Sequence, residues 1–528
     1  MITRPGRLPR LNLVGDSAGP AVLVVGAGPS GLFSAVELAR HGVPSRVVDR
    51  LPHPHRQARA TVLQPATLEI LNQAGLLDQV LASSVHLDFA RLYDATLRCV
   101  GETPFAGTEC RWSFECSLPQ WRTEQLLTGR LAELGGTVQR GVSVVSLTET
   151  DDHVDVDLED AAGQVEHAQV QWVIGAGGAH SPTRHSMDEH LPGSTYPGTA
   201  LVAETAVRCG LPRDGGSLIA TPQGYVLLSP LPGERWLTVV GDLDEAEIGA
   251  LTGAPAPNAV TAAIGHRIPG DVVQVADVGW SSIFRMHRRM APHLADQRRF
   301  LLGDAGHLSS PFGGEGLNSG LHDAANLAWK LALEQRGRAR PVLLDSFAIE
   351  RRAADRHVLQ VSDQIHQMAH GAVAAARAGS FPAPPDPDAL AAAVRARCML
   401  DVSYAGSPLV GEHVQPGGPP LPAPGPGERY PDRAAMTGTE HVLLTFGPLP
   451  ARDLDWLRRR WAGVLTVTEG TGDPGRAGLA VRGAGEAGGG AVLIRPDGYV
   501  GFRAVPADHA GLSALDAHLD SYLVPAPG

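Results

Sequence analysis

The pattern of apolar and polar positions changes several times along the chain. Near the N-terminus, a continuous apolar run rich in β-branched residues, Ala21 to Val25, is followed by a glycine cluster and an amphipathic stretch, Ser30 to Arg40. A second apolar run, Ser45 to Asp49, completes a strand–helix–strand unit. The alternation continues through Leu118 to Ala132 and Val142 to Leu147. Alternating strands and helices predict a parallel, doubly wound α/β sheet.

The helical periodicity fades between Gly193 and Arg285, where short β-rich runs such as Tyr225 to Leu228 and Arg235 to Val240 take over. This change predicts an inserted antiparallel sheet. The α/β pattern then returns with a strand, a glycine-rich loop and two helices, predicted at Arg299–Leu302, Gly320–Arg336 and Leu343–His370.

A proline-rich stretch separates a C-terminal unit from the rest. Val414 to Gly427 holds six prolines in fourteen positions, which is typical of a semi-rigid linker. Beyond it we predict a strand, a helix, a strand, a hairpin and a closing helix, at His441–Phe446, Leu454–Trp461, Val464–Thr468, the turn Asp497-Gly498 and Ala507–Leu523. The predicted domains are 1–192 and 286–400 (a split α/β domain), 193–285 (the β-rich insert), 401–427 (the linker) and 428–528 (the C-terminal unit).

Composition narrows the class of protein. The formal net charge of −12 over 528 residues offers no basic surface for a nucleic acid partner. The five cysteines form no CxxC pair, so neither a disulfide framework nor a metal site is indicated, and a reducing cytoplasm is the expected location. No stretch is long and apolar enough for a signal peptide or a membrane span. Lys330 is the single lysine.

The first chemical motif lies between the first strand and the first helix. Gly26, Gly28 and Gly31 form G-x-G-x-x-G, and Asp49, followed by Arg50, ends the next strand. In such a motif the glycines permit a tight turn, the approach of a pyrophosphate and close packing of the helix, while the acidic residue accepts ribose hydroxyls. The motif predicts a dinucleotide site but does not distinguish FAD from NAD.

A second motif resolves that ambiguity. Leu301 to Leu331 reads LLGDAGHLSSPFGGEGLNSGLHDAANLAWKL. It resembles the GD-motif region of the class A FAD-dependent aromatic hydroxylases, the p-hydroxybenzoate hydroxylase type. The resemblance implies that Asp304 binds the ribityl hydroxyls and that Pro311 lies beside the isoalloxazine ring. It also implies that the backbone from Gly313 to Asn318 surrounds the pyrimidine edge, with contributions from Gly313, Gly314, Gly316, Leu317 and Asn318.

Further segments extend the resemblance. Arg59 and Gln120 occupy positions where family members contact the cofactor. The C-terminal unit has the element order of a thioredoxin-like domain, which longer members, the aromatic polyketide hydroxylases and rifampicin monooxygenase, also carry. No cysteine follows Cys398, so thiol redox chemistry is excluded there and a structural or association role, including a homodimer, is the expectation.

The resemblance implies a reaction. NAD(P)H reduces FAD, and a flavin C4a-hydroperoxide formed with dioxygen passes one oxygen atom to a large aromatic substrate, such as a polycyclic polyketide. Baeyer–Villiger oxygenation and oxidase or dehydrogenase chemistry are alternatives on the same scaffold, as is a non-enzymatic binding protein. The choice between NADPH and NADH stays open. Tyr225, Arg285 and His287 are candidate substrate-binding residues, and no catalytic residue can be named.

One position departs from the family pattern. In Val173 to Arg184, VIGAGGAHSPTR, family members carry an aspartate where this chain has Gly177, and that aspartate is credited with holding flavin and nicotinamide. We expect either weak NAD(P)H binding or substrate-dependent reduction. The alternative is that Ser181 or Arg184 compensates for the missing carboxylate.

Overall fold

The first part of the chain builds a parallel sheet and the smaller sheets around it. The computed structural model describes residues 21–54, 60–108, 110–252, 257–270, 272–381, 385–414, 424–431, 438–469 and 489–527. The first elements are β1 (Val22–Val25), α1 (Pro29–Arg40), β2 (Ser45–Asp49), β3 (Val62–Leu63), α2 (Pro65–Gln73), α3 (Leu77–Ser83), β4 (Val85–Leu87), β5 (Phe89–Tyr93), β6 (Cys99–Pro104), β7 (Glu115–Ser117), α4 (Gln120–Glu133), β8 (Val138–Arg140), β9 (Val142–Glu149), β10 (Val154–Asp160), β11 (Val165–Val170), β12 (Trp172–Gly175) and α5 (Pro182–Ser186).

The middle and C-terminal parts add a second large sheet, the long helices and a third sheet. The middle elements are β13 (Gly193–Thr195), β14 (Ala200–Cys209), β15 (Gly215–Thr221), β16 (Gly224–Pro230), β17 (Arg235–Val240), α6 (Glu245–Leu251), α7 (Pro257–Gly265), β18 (Val273–Phe284) and β19 (His287–Met290). The remaining ones are β20 (Arg299–Leu301), β21 (His307–Leu308), α8 (Glu315–Gln335), α9 (Val342–Ala378), α10 (Pro387–Arg397), β22 (Gly411–Val414), β23 (His441–Phe446), α11 (Ala451–Arg460), β24 (Leu465–Glu469), β25 (Gly490–Ile494), β26 (Val500–Val505) and α12 (His509–Tyr522).

The doubly wound core is confirmed. Its five strands run parallel in the order β20-β12-β1-β2-β8. All four residues of β1 are buried, as expected for a central strand covered on both faces. Helices α1 and α8 share one apolar core, to which Leu32, Phe33, Leu321 and Leu327 contribute. The starts of these two helices are therefore held together behind the sheet.

One sheet assignment made from sequence was wrong, and the inserted sheet, antiparallel among its own strands β14 to β18 as predicted, is larger than expected. Val142–Glu149 (β9) does not join the parallel sheet but pairs antiparallel with β10, because the chain turns at Gly141, whose φ is +71°. The inserted sheet is not purely antiparallel. It runs β18-β14-β17-β16-β15-β5-β6, and β5, from before residue 193, pairs parallel with β15. The sheet therefore covers the exposed edge of β15 with an earlier segment of chain.

The C-terminal unit contains the predicted elements within a few residues, in a sheet ordered β22-β26-β25-β23-β24. Strand β22 lies inside the predicted linker and pairs parallel with β26; residues 415–423 fall outside the described ranges. The unit's apolar core includes Trp329 and Leu333 of α8 and Leu343 of α9, so it is packed onto the helices of the α/β domain. The thioredoxin-like assignment and the domain boundaries stay predictions.

Helix α8 also begins earlier than predicted, at Glu315 instead of Gly320, and α9 extends to Ala378. In the described part of the chain, none of the helices combines the length and hydropathy that a membrane crossing requires.

Candidate functional site

The glycines of the first motif lie where backbone geometry demands them. Gly26 has a φ of +106°, and a Cβ there would overlap the carbonyl of Ala176. A Cβ on Gly31 would overlap the carbonyl oxygen of Gly26, so its absence lets α1 close on the turn. Gly28 faces open space, with no atom within 4 Å of its ideal Cβ position. Since no side chain caps the start of α1, its first N–H groups are directed at an open cradle suited to a pyrophosphate.

The acidic residue that ends β2 is held against this cradle. Asp49 accepts hydrogen bonds from the N–H groups of Ala27, at 2.7 Å, and Leu51, at 2.8 Å. Its neighbour Arg50 is exposed. Gln120 is the first residue of α4 and donates to Glu124 at 2.9 Å. The structure thus brings Asp49 to the glycine turn, whereas Arg59 lies outside the described residues.

The second motif meets the first at Ser30. Its hydroxyl oxygen lies against both Gly303 and Gly320, and a Cβ at either glycine would collide with it. The turn after β20 therefore packs directly on the start of α1, with the side chain of Asp304 exposed on that turn. Two segments separated by about 270 residues in sequence form one continuous surface.

The next part of the second motif is Pro311 to Gly314, a turn with few side chains that we call the flavin loop after the resemblance above. Pro311 is exposed, Phe312 is buried, and Gly313 and Gly314 have φ values of +87° and +74°. Both glycines occupy the left-handed region, where a side chain would be strained. Because α8 starts at Glu315, Gly316, Leu317 and Asn318 belong to the first helical turn, where N–H groups are oriented outward.

Sequence reasoning missed how this loop is held. The side chain of Asn318 donates to the carbonyls of Val62, at 2.8 Å, and Gly314, at 2.7 Å, and accepts from the N–H of Gln64. Gln64 in turn donates to the carbonyl of Gly313. Asn318 therefore positions the loop on β3, and it does so through its side chain. The segment RATVLQP contains Gln64, but its pairing with residue 318 is a long-range contact that spacing does not reveal.

A buried charged cluster supports the turn that carries Asp304. Asp323 accepts from the N–H of Gly303 and from Nε2 of His307, both at 2.9 Å, and from Arg351 at 2.7 Å. Burial alone would lower the pKa of His307, but Asp355 and Asp323 raise it to about 9. His307, Asp323 and Asp355 have the composition of a metal site. Arg351 already supplies the balancing cation through both carboxylates, so we assign the cluster a positioning role.

Glu315 is the exception in the loop. It is fully buried, and neither carboxylate oxygen has a hydrogen-bond partner among the described residues. Burial raises its pKa to about 8, so the folded chain holds it as a neutral acid at pH 7.

The three candidate substrate-binding residues are not brought together. Tyr225 is fully buried and packs edge-on against Phe312 at 5.1 Å between ring centroids. Arg285 is exposed, and His287 lies against Thr195 at 3.0 Å. Between them Met286 is buried and belongs to the same apolar cluster as Phe312 and Tyr225. Sequence reasoning therefore missed Met286, the member of this segment whose side chain reaches the flavin loop.

A histidine pair borders the same cluster. His366 stacks on Tyr196 with ring centroids 4.0 Å apart, and its Nδ1 lies 3.3 Å from Oγ of Ser310, immediately before Pro311. Burial and neighbouring His370 lower the pKa of His366 to about 4. His366 is therefore a neutral imidazole at pH 7.

The environment of Gly177 shows what the two compensating candidates do. Ser181 caps α5 by accepting from the N–H of Arg184. Arg184 donates to the carbonyls of Ala305, at 3.2 Å, and Ala179, at 2.7 Å. Arg184 thus braces the turn next to Asp304, and both side chains are engaged with backbone. A Cβ on Gly177 would lie 3.1 Å from Cδ of Pro182, so an aspartate there requires a small local shift.

These residues fit FAD. The open cradle at Gly28, the exposed Asp304 and the left-handed Gly313–Gly314 turn form one surface of backbone donors and carboxylates. A dinucleotide with two phosphates, polyol hydroxyls and an electron-poor ring needs these groups in this order.

Comparison with known proteins agrees with this geometry. The profile of the FAD binding domain family matches residues 20–362. The 6-methylpretetramide 4-monooxygenase of Streptomyces rimosus is 35% identical over 64% of this chain and 60% of its own length. A 12-dehydrotetracycline 5-monooxygenase/anhydrotetracycline 6-monooxygenase of Streptomyces rimosus is 30% identical over 92% of this chain and 95% of its own.

A solved structure extends the likeness to the whole fold. The flavin-dependent monooxygenase PieE, in complex with FAD and substrate, superposes with a TM-score of 0.77 at 25% identity, covering 96% of this chain and 100% of that one. The matches at the flavin loop, along the sequence and across the fold agree, and the chain belongs to the FAD binding domain family of flavin-dependent monooxygenases, with FAD as its cofactor.

Proposed function

We propose that this protein is an NAD(P)H-dependent monooxygenase that inserts one atom of dioxygen into a large, polycyclic aromatic substrate. Two observations carry the proposal: the two flavin motifs meet at Ser30, and Phe312 of the second motif packs in one apolar cluster with Tyr225 of the inserted sheet. Two of the relatives are named for tetracyclic substrates, which supports a substrate of that size.

The residues of the chain have separable roles in this reaction. Bound FAD supplies the two-electron chemistry that activates dioxygen. The N-terminus of α1 holds the phosphates, and Asp304 holds the ribityl chain. Met286, Phe312 and Tyr225 form an apolar cluster beside the flavin loop that excludes water from the reacting centre.

The direct test uses purified protein, NADPH and a panel of polycyclic phenols and quinones, including anhydrotetracycline. We expect substrate-stimulated NADPH consumption and a product heavier by 16 Da, or by 18 Da when ¹⁸O₂ is supplied, since one oxygen atom is inserted. A ring-expanded ester would show Baeyer–Villiger chemistry. If the flavin is reduced and a product forms that contains no ¹⁸O, the protein is an oxidase or a dehydrogenase and the proposal is wrong.

A second test concerns the cofactor. No Cys or His lies in a recognised flavin-linkage motif, so acid precipitation should release all yellow colour into the supernatant. Flavin that stays in the pellet would contradict reversible binding. A cytoplasmic location and a homodimeric assembly are further parts of the proposal, checked by fractionation and by light scattering.

A further inference from the structure

A cationic cavity lies outside the residues assigned to FAD. It has a volume of about 290 Å³, opens between β19 and α9, and four arginines line it: Arg288, Arg289, Arg352 and Arg356. None of its lining residues is acidic. In a chain with a net charge of −12, four converging guanidinium groups form a local reversal of charge.

The arginines are only partly used by the protein. Arg288 pairs with Asp363 at 3.2 Å, and Arg289 donates to Thr195 at 2.9 Å. Arg352 and Arg356 have no hydrogen-bond or ion-pair partner within the described ranges of the chain. The Nε–H groups of Arg289 and Arg352 are buried without an acceptor in that same part of the structure. A buried N–H donor without an acceptor is destabilising, and a bound oxyanion would supply the missing acceptor.

The cavity is built on elements that lead to the flavin loop. Arg289 of β19 pairs with Leu308 of β21, and Pro311 follows Leu308 by three residues. Three residues of extended chain span at most about 11 Å. Arg352 and Arg356 are one helical turn apart on α9 and form the opposite wall. The strand pair β19–β21 therefore joins one wall of the cavity to the segment that leads into the flavin loop.

The reaction needs such a site. The proposed function requires a nicotinamide dinucleotide, which brings two pyrophosphate charges and, in NADPH, a further phosphate. The G-x-G-x-x-G at residues 26–31 lies between a strand and a helix and serves FAD. Two later matches, at 470–475 and 483–488, fall outside the described ranges, and the GAGG segment at residues 175–178 does not complete another. Phosphates of the reductant must therefore be bound by side chains, and arginine forks match phosphate geometry.

We infer that the cavity between β19 and α9 binds a phosphate of the nicotinamide dinucleotide, with Arg352 and Arg356 as its main ligands. This inference rests on the proposed function, since it assigns a site to that reaction's reductant. The phosphate could be the pyrophosphate, which NADP⁺ and NAD⁺ share, or the ribose 2′-phosphate, which only NADP⁺ carries. Comparing the binding of NADP⁺ and NAD⁺ therefore distinguishes these two sources.

The test is calorimetric titration of the FAD-loaded protein with NADP⁺ and with NAD⁺. The double variant R352Q/R356Q should bind NADP⁺ at least about tenfold more weakly, because each lost charge-assisted contact accounts for about one decade of affinity. Loss for NADP⁺ alone identifies the 2′-phosphate, and equal loss for both identifies the pyrophosphate. The matched control is R208Q, which removes the same charge from an exposed position on β14. It should bind as the wild type does.

Two results would overturn the inference: an unchanged NADP⁺ affinity in the double variant, or a loss confined to the aromatic substrate. If the double variant does not fold, R356Q alone gives the same comparison, because Arg356 is exposed. Failure here is distinguishable from failure of the proposed function. Variants reduced anaerobically with dithionite and mixed with oxygenated buffer and substrate bypass the reductant, and they should still form labelled product if the protein is a monooxygenase.

Discussion

The two ends of helix α8 are built on opposite principles. At its start, the flavin loop offers backbone N–H groups and open space, as at Gly28 and the Gly313–Gly314 turn. Fifteen residues after Glu315, Lys330 lies in a buried network with Glu350 of α9 and with Arg495 and Asp497 of the turn between β25 and β26. One region leaves polar groups available for a ligand, whereas the other satisfies its charges within the protein.

The comparison shows how one helix serves binding and assembly together. Arg495 forms paired hydrogen bonds to Glu350 and also donates to Asp497, while Asn326 links Glu350 to Asp497. Since Glu350 is on α9 and Arg495 follows β25, this network fastens the C-terminal unit to the helices behind the flavin. The C-terminal unit contains no cysteine, which agrees with a structural role for that unit.

The largest effect should come from breaking this network. Substituting Arg495→Met leaves Glu350 and Asp497 buried with Lys330 as the remaining cation, and an uncompensated buried charge costs about 3 to 5 kcal/mol. Urea denaturation should show this loss of unfolding free energy. The matched control is Arg340→Gln. It removes an exposed ion pair between Arg340 and Asp520 of the C-terminal unit and should lower the unfolding free energy by less than about 1 kcal/mol. Equal effects of the two variants would contradict the comparison.

Glu315 is a buried acid in the open region, without a hydrogen-bond partner among the described residues, and it should make stability depend on pH. The folded pKa of about 8 lies above the unfolded value of 4.5, so its contribution to stability is fully present below pH 4.5 and is lost as pH rises to about 8. Glu315→Gln removes this dependence. Between pH 5 and 7 the stability of the variant relative to the wild type should rise by about 2 to 3 kcal/mol.

The measurement is chemical denaturation of both proteins at several pH values. Glu234→Gln, which alters an exposed loop acid, serves as the control and should leave the pH profile unchanged. Parallel profiles for Glu315→Gln and the wild type would show that Glu315 is ionised in the folded protein.

Asp304 tests the open region itself. Its side chain is exposed, and in Asp304→Ala the cofactor FAD loses an acceptor for its ribityl hydroxyls. A lost hydrogen bond to a charged group corresponds to about 1.5 to 3 kcal/mol, or roughly ten- to hundredfold in the Kd for FAD. Apoprotein titrated with FAD measures this, with Asp304→Asn expected in between. Full flavin retention in the alanine variant would remove Asp304 from the site.

The sequence indicated the open region around Gly28 more directly than the buried network around Lys330, for a physical reason. Glycines at fixed spacing and Asp304 are local features, so Gly26, Gly28 and Gly31 could be assigned directly. The partners of Asn318 and Glu350 lie far away in sequence, and only folding brings Gln64 to the first and Arg495 to the second. For the same reason β5 was not recognised as part of the inserted sheet.

The smallest expected effect concerns Gly177. Ser181 and Arg184 are engaged with backbone, which favours the hypothesis that nothing replaces the missing carboxylate. Gly177→Asp should therefore lower the KM for NADPH in stopped-flow reduction by a few-fold. The effect is small because the new charge-assisted contact is partly offset by crowding of the side chain against Pro182. Wild-type protein that is already reduced rapidly at micromolar NADPH without substrate, and is unaffected by the substitution, would show that this departure has no functional consequence.

The most direct test of the account is a crystal structure of the FAD complex. We predict that the pyrophosphate lies at the start of α1 beside Gly28, the ribityl chain at Asp304 and the ring edge at the Gly313–Gly314 turn. We also predict that Arg495 forms its paired hydrogen bonds to Glu350. A flavin bound elsewhere, or one whose pyrophosphate lies away from the N-terminus of α1, would contradict the claim that the two motifs form one flavin site.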